Sequence, residues 1–299
     1  MSQAVLRPGK RTIWIAAARP RTLTAAIAPV LVGTGVAIAE DAFAPLPALA
    51  ALLGAILLQV GTNLANDYFD AKKGADASRI GPVRVTQAGW VRPSEMKGAI
   101  GIVFGLAFCC GIYLVAVAGW PIALLGIASI LAGLAYTGGP YPLGYHGLGD
   151  LFVLLFFGLA AVVGTHYVQA LAFSWNALFL SIPIGLLSVA ILVVNNLRDQ
   201  DSDRSAGKQT LVARYGRGFG RVQYATMLAG AYAAPVTLVA ADRLSLFGLL
   251  PLLSLPLAVP LLRNVLRSAS LEDSLLALAG TSRLLLIYAI LTAVGVVAG

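Results

Sequence analysis

Apolar stretches long enough to cross a bilayer follow one another along almost the whole chain, and that succession leaves few folds open. Nine can be marked off: Leu23–Ala39, Leu46–Ala65, Gly98–Ala118, Pro121–Ala135, Leu151–Leu171, Ala177–Val194, Val222–Ala241, Leu246–Leu262 and Leu284–Ala298. Most approach the roughly 20 residues that span a hydrocarbon core as a helix. Hydrophobic residues make up 59% of the chain and charged ones 11%, whereas soluble domains carry about 25% charged residues. So few charges cannot cover a water-facing surface. Helices satisfy their own backbone groups in lipid, so the expected fold is all-α: a polytopic membrane helical bundle of about nine transmembrane helices. No linker or low-complexity tract interrupts it. Residues 1–299 therefore read as a single integral-membrane domain, with 1–21 a cytoplasmic N-terminal segment and the first apolar run a retained span.

The net charge of +8 is a balance often met in nucleic-acid binders, but those gather basic residues on a water-exposed face. Here the basic residues sit between apolar runs. Arg7, Lys10, Arg11, Arg19 and Arg21 precede the first span; Lys72, Lys73, Arg79, Arg84, Arg92 and Lys97 follow the second. Arg198, Arg204, Lys208, Arg214, Arg217 and Arg221 follow the sixth, and Arg263, Arg267 and Arg283 lie between the last two. Alternating nine spans puts 20 of the 21 Lys and Arg on one side and leaves Arg243 alone on the other. Under the positive-inside rule that side is the cytoplasm. The partner implied is the lipid bilayer and not nucleic acid. Loops on the opposite side are minimal, so the polar chemistry belongs to the cytoplasmic face. Cys109 and Cys110 are adjacent within an apolar run, without metal-ligand spacing, and read as packing residues.

Two acidic motifs end spans on that face. The first runs Asn63-Leu-Ala-Asn66-Asp67-Tyr-Phe-Asp70-Ala-Lys72-Lys73-Gly74-Ala-Asp76, and the second Asn195-Asn196-Leu-Arg198-Asp199-Gln-Asp201-Ser-Asp203-Arg204, continuing to Lys208 and Thr210. If the helices continue through them, Asn66 and Asp70 share a face one turn apart, and Asn195, Asp199 and Asp203 form a second row. Both motifs contain Asn-x-x-x-Asp, four spans apart, as a diverged duplication would. Carboxylates at span ends are costly unless they meet water, a cation or each other. Carboxylate and amide oxygens are hard ligands suited to Mg²⁺, which typically binds one or two carboxylates together with substrate phosphates. The neighbouring Arg and Lys side chains suit a diphosphate, Arg as a bidentate fork and Lys as a point charge. Acidic residues for metal, basic residues for phosphate and a lipid-facing bundle together specify an isoprenoid diphosphate. The competing reading is that these are solvated loop charges that cap helices.

Four stretches in combination resemble the UbiA superfamily of membrane aromatic prenyltransferases, and most closely its menaquinone-pathway branch. They are Trp14–Leu23, containing Arg19-Pro20-Arg21; Asn63–Asp76 followed by Arg79-Ile-Gly-Pro-Val-Arg84; Tyr136–Asp150; and Asn195–Thr210 continuing to Arg214. The resemblance implies transfer of a polyprenyl group from polyprenyl diphosphate to 1,4-dihydroxy-2-naphthoate, with the carboxylate lost as CO₂ and demethylmenaquinone as product. It implies a bacterial inner membrane and Mg²⁺ as cofactor. It makes Asn66, Asp70, Asp199 and Asp203 the Mg²⁺-diphosphate residues, with Asp67, Asp76 and Asn195 as adjacent candidate ligands. The commoner first motif has another Asp four residues after Asp70; here Gly74 stands there and Asp76 follows, as in the naphthoate branch. Lys72, Arg79, Arg84, Arg198 and Lys208, with Lys73 and Arg204, are candidate diphosphate contacts, although positive-inside topology accounts for several of them equally well.

The Tyr136–Asp150 loop faces the cytoplasm without a Lys or Arg. Its Tyr136 and Tyr141 are candidates to stabilise an allylic cation and stack on the acceptor ring; the alternative is a Gly/Pro turn with interfacial tyrosines. In the fifth span Thr165, His166 and Gln169 interrupt an apolar helix, a pattern read as helix–helix hydrogen bonding. Two rival functions remain open. One is a prenyltransferase for another aromatic acceptor, such as 4-hydroxybenzoate or homogentisate. The other is a transporter with acidic ion sites near the membrane midplane, which motifs at span ends on one face disfavour.

Overall fold

The computed structural model describes residues 8–73, 84–267 and 271–299. Proline at the first turn, where its missing N–H costs nothing, starts α3 (Pro45–Lys72), α4 (Pro93–Ala118) and α5 (Trp120–Ala135). Hydroxyl caps start α8 (Trp175–Ser205), where Ser174 accepts from the Ala177 amide at 3.2 Å, and α9 (Leu211–Ala240), where Thr210 accepts from Ala213 at 3.1 Å. The remaining elements are α1 (Lys10–Ala18), α2 (Thr24–Ala39), α6 (Gly149–Val153), α7 (Ala161–Ala170), α10 (Leu255–Arg267) and α11 (Leu271–Val297). A π-helical stretch, Leu154–Ala160, joins α6 to α7, and a 3-10 stretch, Leu246–Ser254, leads into α10.

Every apolar run read from the sequence is helical, and no strand occurs among the described residues. Among the described residues, seven helical stretches are long and apolar enough to cross a membrane. An eighth is a pair, α1 with its 3-10 turn and α2, bent by 49° at the break between Thr22 and Thr24. The run Trp120–Ala135 is shorter, 16 residues or about 24 Å, against a core of about 30 Å.

α8 is the central helix. Leu180, Ile184, Leu187, Ala190 and Val193 are buried against Val32 and Val36 of α2, Tyr224 and Leu228 of α9, and Leu284, Leu285 and Tyr288 of α11. α8 comes close to the π-helical stretch at Gly185 and Gly158, where a Cβ on Gly158 would lie 2.7 Å from the Gly185 Cα. Large apolar side chains on the outer helices point outward, Ile102 and Leu124 at 67% and 60% exposure among them. An apolar perimeter around a packed interior is the arrangement lipid selects.

Length places the polar chemistry. At 1.5 Å per residue α3 extends about 42 Å and α8 about 46 Å, both longer than the hydrocarbon core. Their C-terminal turns, carrying the two acidic motifs, emerge at the same end of the bundle. At the other end Glu40 joins Ser174 and Asn176 in the short connections.

Candidate active site

Both helices do continue through their motifs, so Asn66 and Asp70 stack on α3, and Asn195, Asp199 and Asp203 on α8. Asp70 is the centre of the assembly. It is 1% exposed, and a buried carboxylate persists only when paired and hydrogen-bonded. Its Oδ1 accepts from the Tyr145 hydroxyl at 2.9 Å, and its Oδ2 lies 3.3 Å from Lys208 Nζ and 3.6 Å from Arg84. The same ammonium is 3.8 Å from Asp203 Oδ1, which links the two motifs.

Two loops and one turn complete this end. The Lys208 amide donates to the Asp203 carbonyl and the Gln209 amide to the Tyr145 carbonyl, each at 2.8 Å, so the loop after α8 is bonded to the loop after α5. Gly147 permits that contact: its φ is +78°, and a Cβ would lie 2.9 Å from the Gln209 carbonyl. Thr137 donates to Asn66 Oδ1 at 2.8 Å, and its carbonyl accepts from Lys73 Nζ at 2.7 Å. The Tyr145 ring carries two cations, Lys73 at 4.4 Å and Lys208 at 4.8 Å from its centre.

Beneath the acidic end lies a cavity of about 550 Å³. Asn66 on one wall and Asn195 on the other meet it near the motifs, with Tyr136 beside them. The rest is mostly apolar, including the stacked rings of Phe152 and Phe156. Desolvation, reinforced by the charges of Asp150, Asp203 and Asp70, raises the Tyr136 phenol well above its ordinary range. Tyr136 therefore stays a neutral O–H donor.

Several expected residues fall elsewhere. The Asp67 carboxylate accepts from the backbone amides of Val85 at 3.1 Å and Thr86 at 2.9 Å, and so anchors the turn that carries Arg84. Arg198 holds Asp199 in a bidentate pair, both contacts 2.6 Å. Arg204 donates to the Ala213 carbonyl, which ties α8 to α9. Lys72 is exposed. Tyr141, a candidate to stabilise an allylic cation, is 58% exposed and stacks on His146 at 3.6 Å, whereas Tyr145 on the same loop is the tyrosine hydrogen-bonded to Asp70. Asp76 and Arg79 lie outside the described residues. No three Asp, Glu, His or Cys side chains among the described residues converge as a ready metal cage.

The sequence reading also passed over Lys73's contact and Gln59. Gln59, Asn63, Asn66 and Asp70 fall at i, i+4, i+7 and i+11 of an otherwise apolar helix, which is one continuous polar stripe. That stripe was a legible signal.

A family model described as the UbiA prenyltransferase family matches residues 26–279. The chain is 44% identical over 261 residues to a 1,4-dihydroxy-2-naphthoate octaprenyltransferase of Escherichia coli, covering 85% of each chain. It is 43% identical to the enzyme of the same name from Mycobacterium tuberculosis, over 72% of this chain and 74% of that one. Among solved structures, a UbiA homologue from Archaeoglobus fulgidus bound to GPP and Mg²⁺ superposes with a TM-score of 0.66 at 14% identity, over 96% of this chain and 100% of that one.

Proposed function

This chain belongs to the UbiA prenyltransferase family, and from that membership we propose that it transfers a polyprenyl group from its diphosphate to 1,4-dihydroxy-2-naphthoate, with loss of CO₂. One observation carries the reading beyond the family. Two acidic helix ends laced with Lys208, Arg84 and Lys73 stand over an apolar cavity of about 550 Å³. A diphosphate head seeks the first environment and an isoprenoid tail the second. The product is the prenylated hydroquinone, whose oxidised form is demethylmenaquinone.

The donor set fits Mg²⁺. Asp70, Asp203 and Asp199 offer carboxylates and Asn66 and Asn195 amide oxygens, from the C-terminal turns of α3 and α8. Each of the three carboxylates rests against a basic side chain: Lys208 on Asp70 and Asp203, Arg198 on Asp199. Such a set holds positive charge by design. Mg²⁺ bound there supplies charge neutralisation for the leaving diphosphate.

The chain's own residues do the rest. Lys208, Arg84 and Lys73 attract and hold the diphosphate as negative charge builds on it. Tyr136, kept neutral, lines the cavity and would offer its ring to an allylic cation. Phe152, Phe156 and the apolar walls exclude the water that would intercept an allylic cation. The electron-rich acceptor ring attacks the allylic carbon, the C–O bond to diphosphate breaks, and the acceptor's carboxylate leaves as CO₂. The excess of Lys and Arg at the acidic end supports a cytoplasmic orientation, in the inner membrane of a bacterium.

The test is product analysis. Purified protein in detergent, given 1,4-dihydroxy-2-naphthoate and a polyprenyl diphosphate, should form a decarboxylated prenyl-naphthoquinone with Mg²⁺ and none with EDTA. Product only with a different aromatic acceptor would overturn the acceptor assignment and leave the prenyl transfer standing.

A further inference from the structure

The wall of the cavity below Asn66 holds a polar array that the diphosphate chemistry leaves unused. The Thr22 hydroxyl donates to the Arg19 carbonyl at 3.0 Å. Its proton being spent, its oxygen accepts, from Asn63 Nδ2 at 3.0 Å and from Gln59 Nε2 at 3.1 Å. The second Asn63 N–H goes to the Ala18 carbonyl at 3.0 Å. This network fixes which end of Gln59 points where, because only its NH₂ group can face a hydroxyl that has no proton left to give. The consequence is an unused acceptor: Gln59 Oε1 is buried without a hydrogen-bond partner.

Gln59 is 8% exposed and lines the cavity together with Arg19, Thr22 and Asn63. Two serines on the wall are already committed: Ser129 donates to Leu125 and Ser188 to Ile184 of their own helices. A buried carbonyl without a donor is costly, and Arg19 beside it holds a left-handed backbone, φ 52°, that non-glycine residues rarely adopt. Along α3, Gln59 lies seven residues, about 10 Å, on the cavity side of Asn66. It stands beyond the diphosphate-binding end, where a ring attacking the allylic carbon would be seated.

Resting on the prenyl-transfer reading, we propose that Gln59 is the residue that orients the aromatic acceptor. Its Oε1, closed off from the cavity in this structure, turns toward it as the acceptor enters and accepts a hydrogen bond from a ring hydroxyl, and Arg19 on the same wall faces the acceptor's carboxylate. The Thr22–Asn63 network holds the amide in that pose. A hydroxyl that donates to Gln59 directs its oxygen lone pairs into the ring and makes the attacking carbon more nucleophilic.

The test is a split between the two substrates in the full-length protein. Gln59→Leu should raise the KM for the dihydroxynaphthoate roughly 10- to 100-fold and leave the KM for polyprenyl diphosphate within about twofold, which also certifies a folded site. A mono-O-methyl ether of the acceptor, unable to donate from that position, should be a correspondingly poor substrate for the unaltered protein. Gln59→Leu should discriminate little between ether and free hydroxyl. An active unaltered protein whose acceptor KM is unmoved by Gln59→Leu, or which uses each ether as well as the free acceptor, overturns the assignment: Oε1 would then serve only a buried water. Silence of the unaltered protein with the naphthoate would instead overturn the activity, and the inference with it.

Discussion

Lys208 reaches Asp70 across 138 residues of chain, with its ammonium 3.3 Å from that carboxylate of the first acidic motif. Because it also approaches Asp203, it occupies the place between the motifs that a divalent cation would share. Lysine and metal then compete for the carboxylates and cooperate on the diphosphate. Lys208→Met should raise the KM for polyprenyl diphosphate roughly tenfold and shift Mg²⁺ half-saturation to lower concentration. A Mg²⁺ titration of initial rates checks both. Unchanged values would reduce Lys208 to a topological charge.

Asp70 and Asp67 should separate cleanly. Asp70→Asn leaves Lys208 and Arg84 without their buried counter-charge and should cost roughly 100-fold or more in kcat. Asp67→Ala removes the acceptor of two amides at 3.1 and 2.9 Å. At about 1–3 kcal/mol for each orphaned amide, the expected loss is in thermal stability and in the position of Arg84. Mg²⁺ half-saturation should stay where it was. A weakened Mg²⁺ response in Asp67→Ala, without loss of stability, would restore Asp67 as a ligand.

What the sequence made legible follows from range. The helical spans and the continuation of α3 and α8 through their motifs are local or periodic features, set by apolar runs and 3.6-residue spacing. The aromatic partner of Asp70 was not legible. Tyr141 and Tyr145 lie on one Gly/Pro-rich loop, and which of them turns inward depends on the bond from Gln209, 64 residues later, to the Tyr145 carbonyl. The amides that Asp67 accepts are 18 and 19 residues downstream, beyond the reach of any helical periodicity in the sequence.

That placement is testable with two conservative changes. Tyr145→Phe keeps the ring under Lys73 and Lys208 and removes the 2.9 Å hydrogen bond to Asp70. A charge-assisted bond of that kind predicts a loss of about tenfold in kcat/KM. Tyr141→Phe, on an exposed ring with His146 as its neighbour, should be near neutral in the same assay. The reverse ranking would return the aromatic role to Tyr141.

The pH profile should carry the mark of Lys73. Desolvation lowers its pKa below the ordinary lysine range; Asp70 opposes the shift and Lys208 adds to it. A lysine is charged below its pKa, so the cation is present at neutral pH and is lost, as pH rises, earlier than from a free lysine. The KM for polyprenyl diphosphate should therefore rise on the alkaline side. Lys73→Arg, which does not deprotonate in the lysine range, should extend the plateau to higher pH. Tyr136→Phe should leave that limb in place, since the Tyr136 phenol is held neutral well past its usual range.

The far end of the bundle offers the converse case, polar residues that hold helices and touch no substrate. Glu40, at the end of α2, accepts from Ser174 at 2.6 Å and pairs with His166 Nε2 of α7 at 2.7 Å. His166 is 1% exposed, so removing its partner strands an imidazole N–H among apolar helices, whereas Glu40 itself is partly exposed and its share of the loss is correspondingly smaller. None of the three lines the cavity. Glu40→Ala should therefore lower Tm by roughly 3–6 °C, while kcat and both KM values, measured well below the transition, stay within about twofold of the unaltered protein. An activity loss without a Tm shift would mean that this latch acts on the reaction from the opposite side of the bundle, through α2 and the cavity wall it forms.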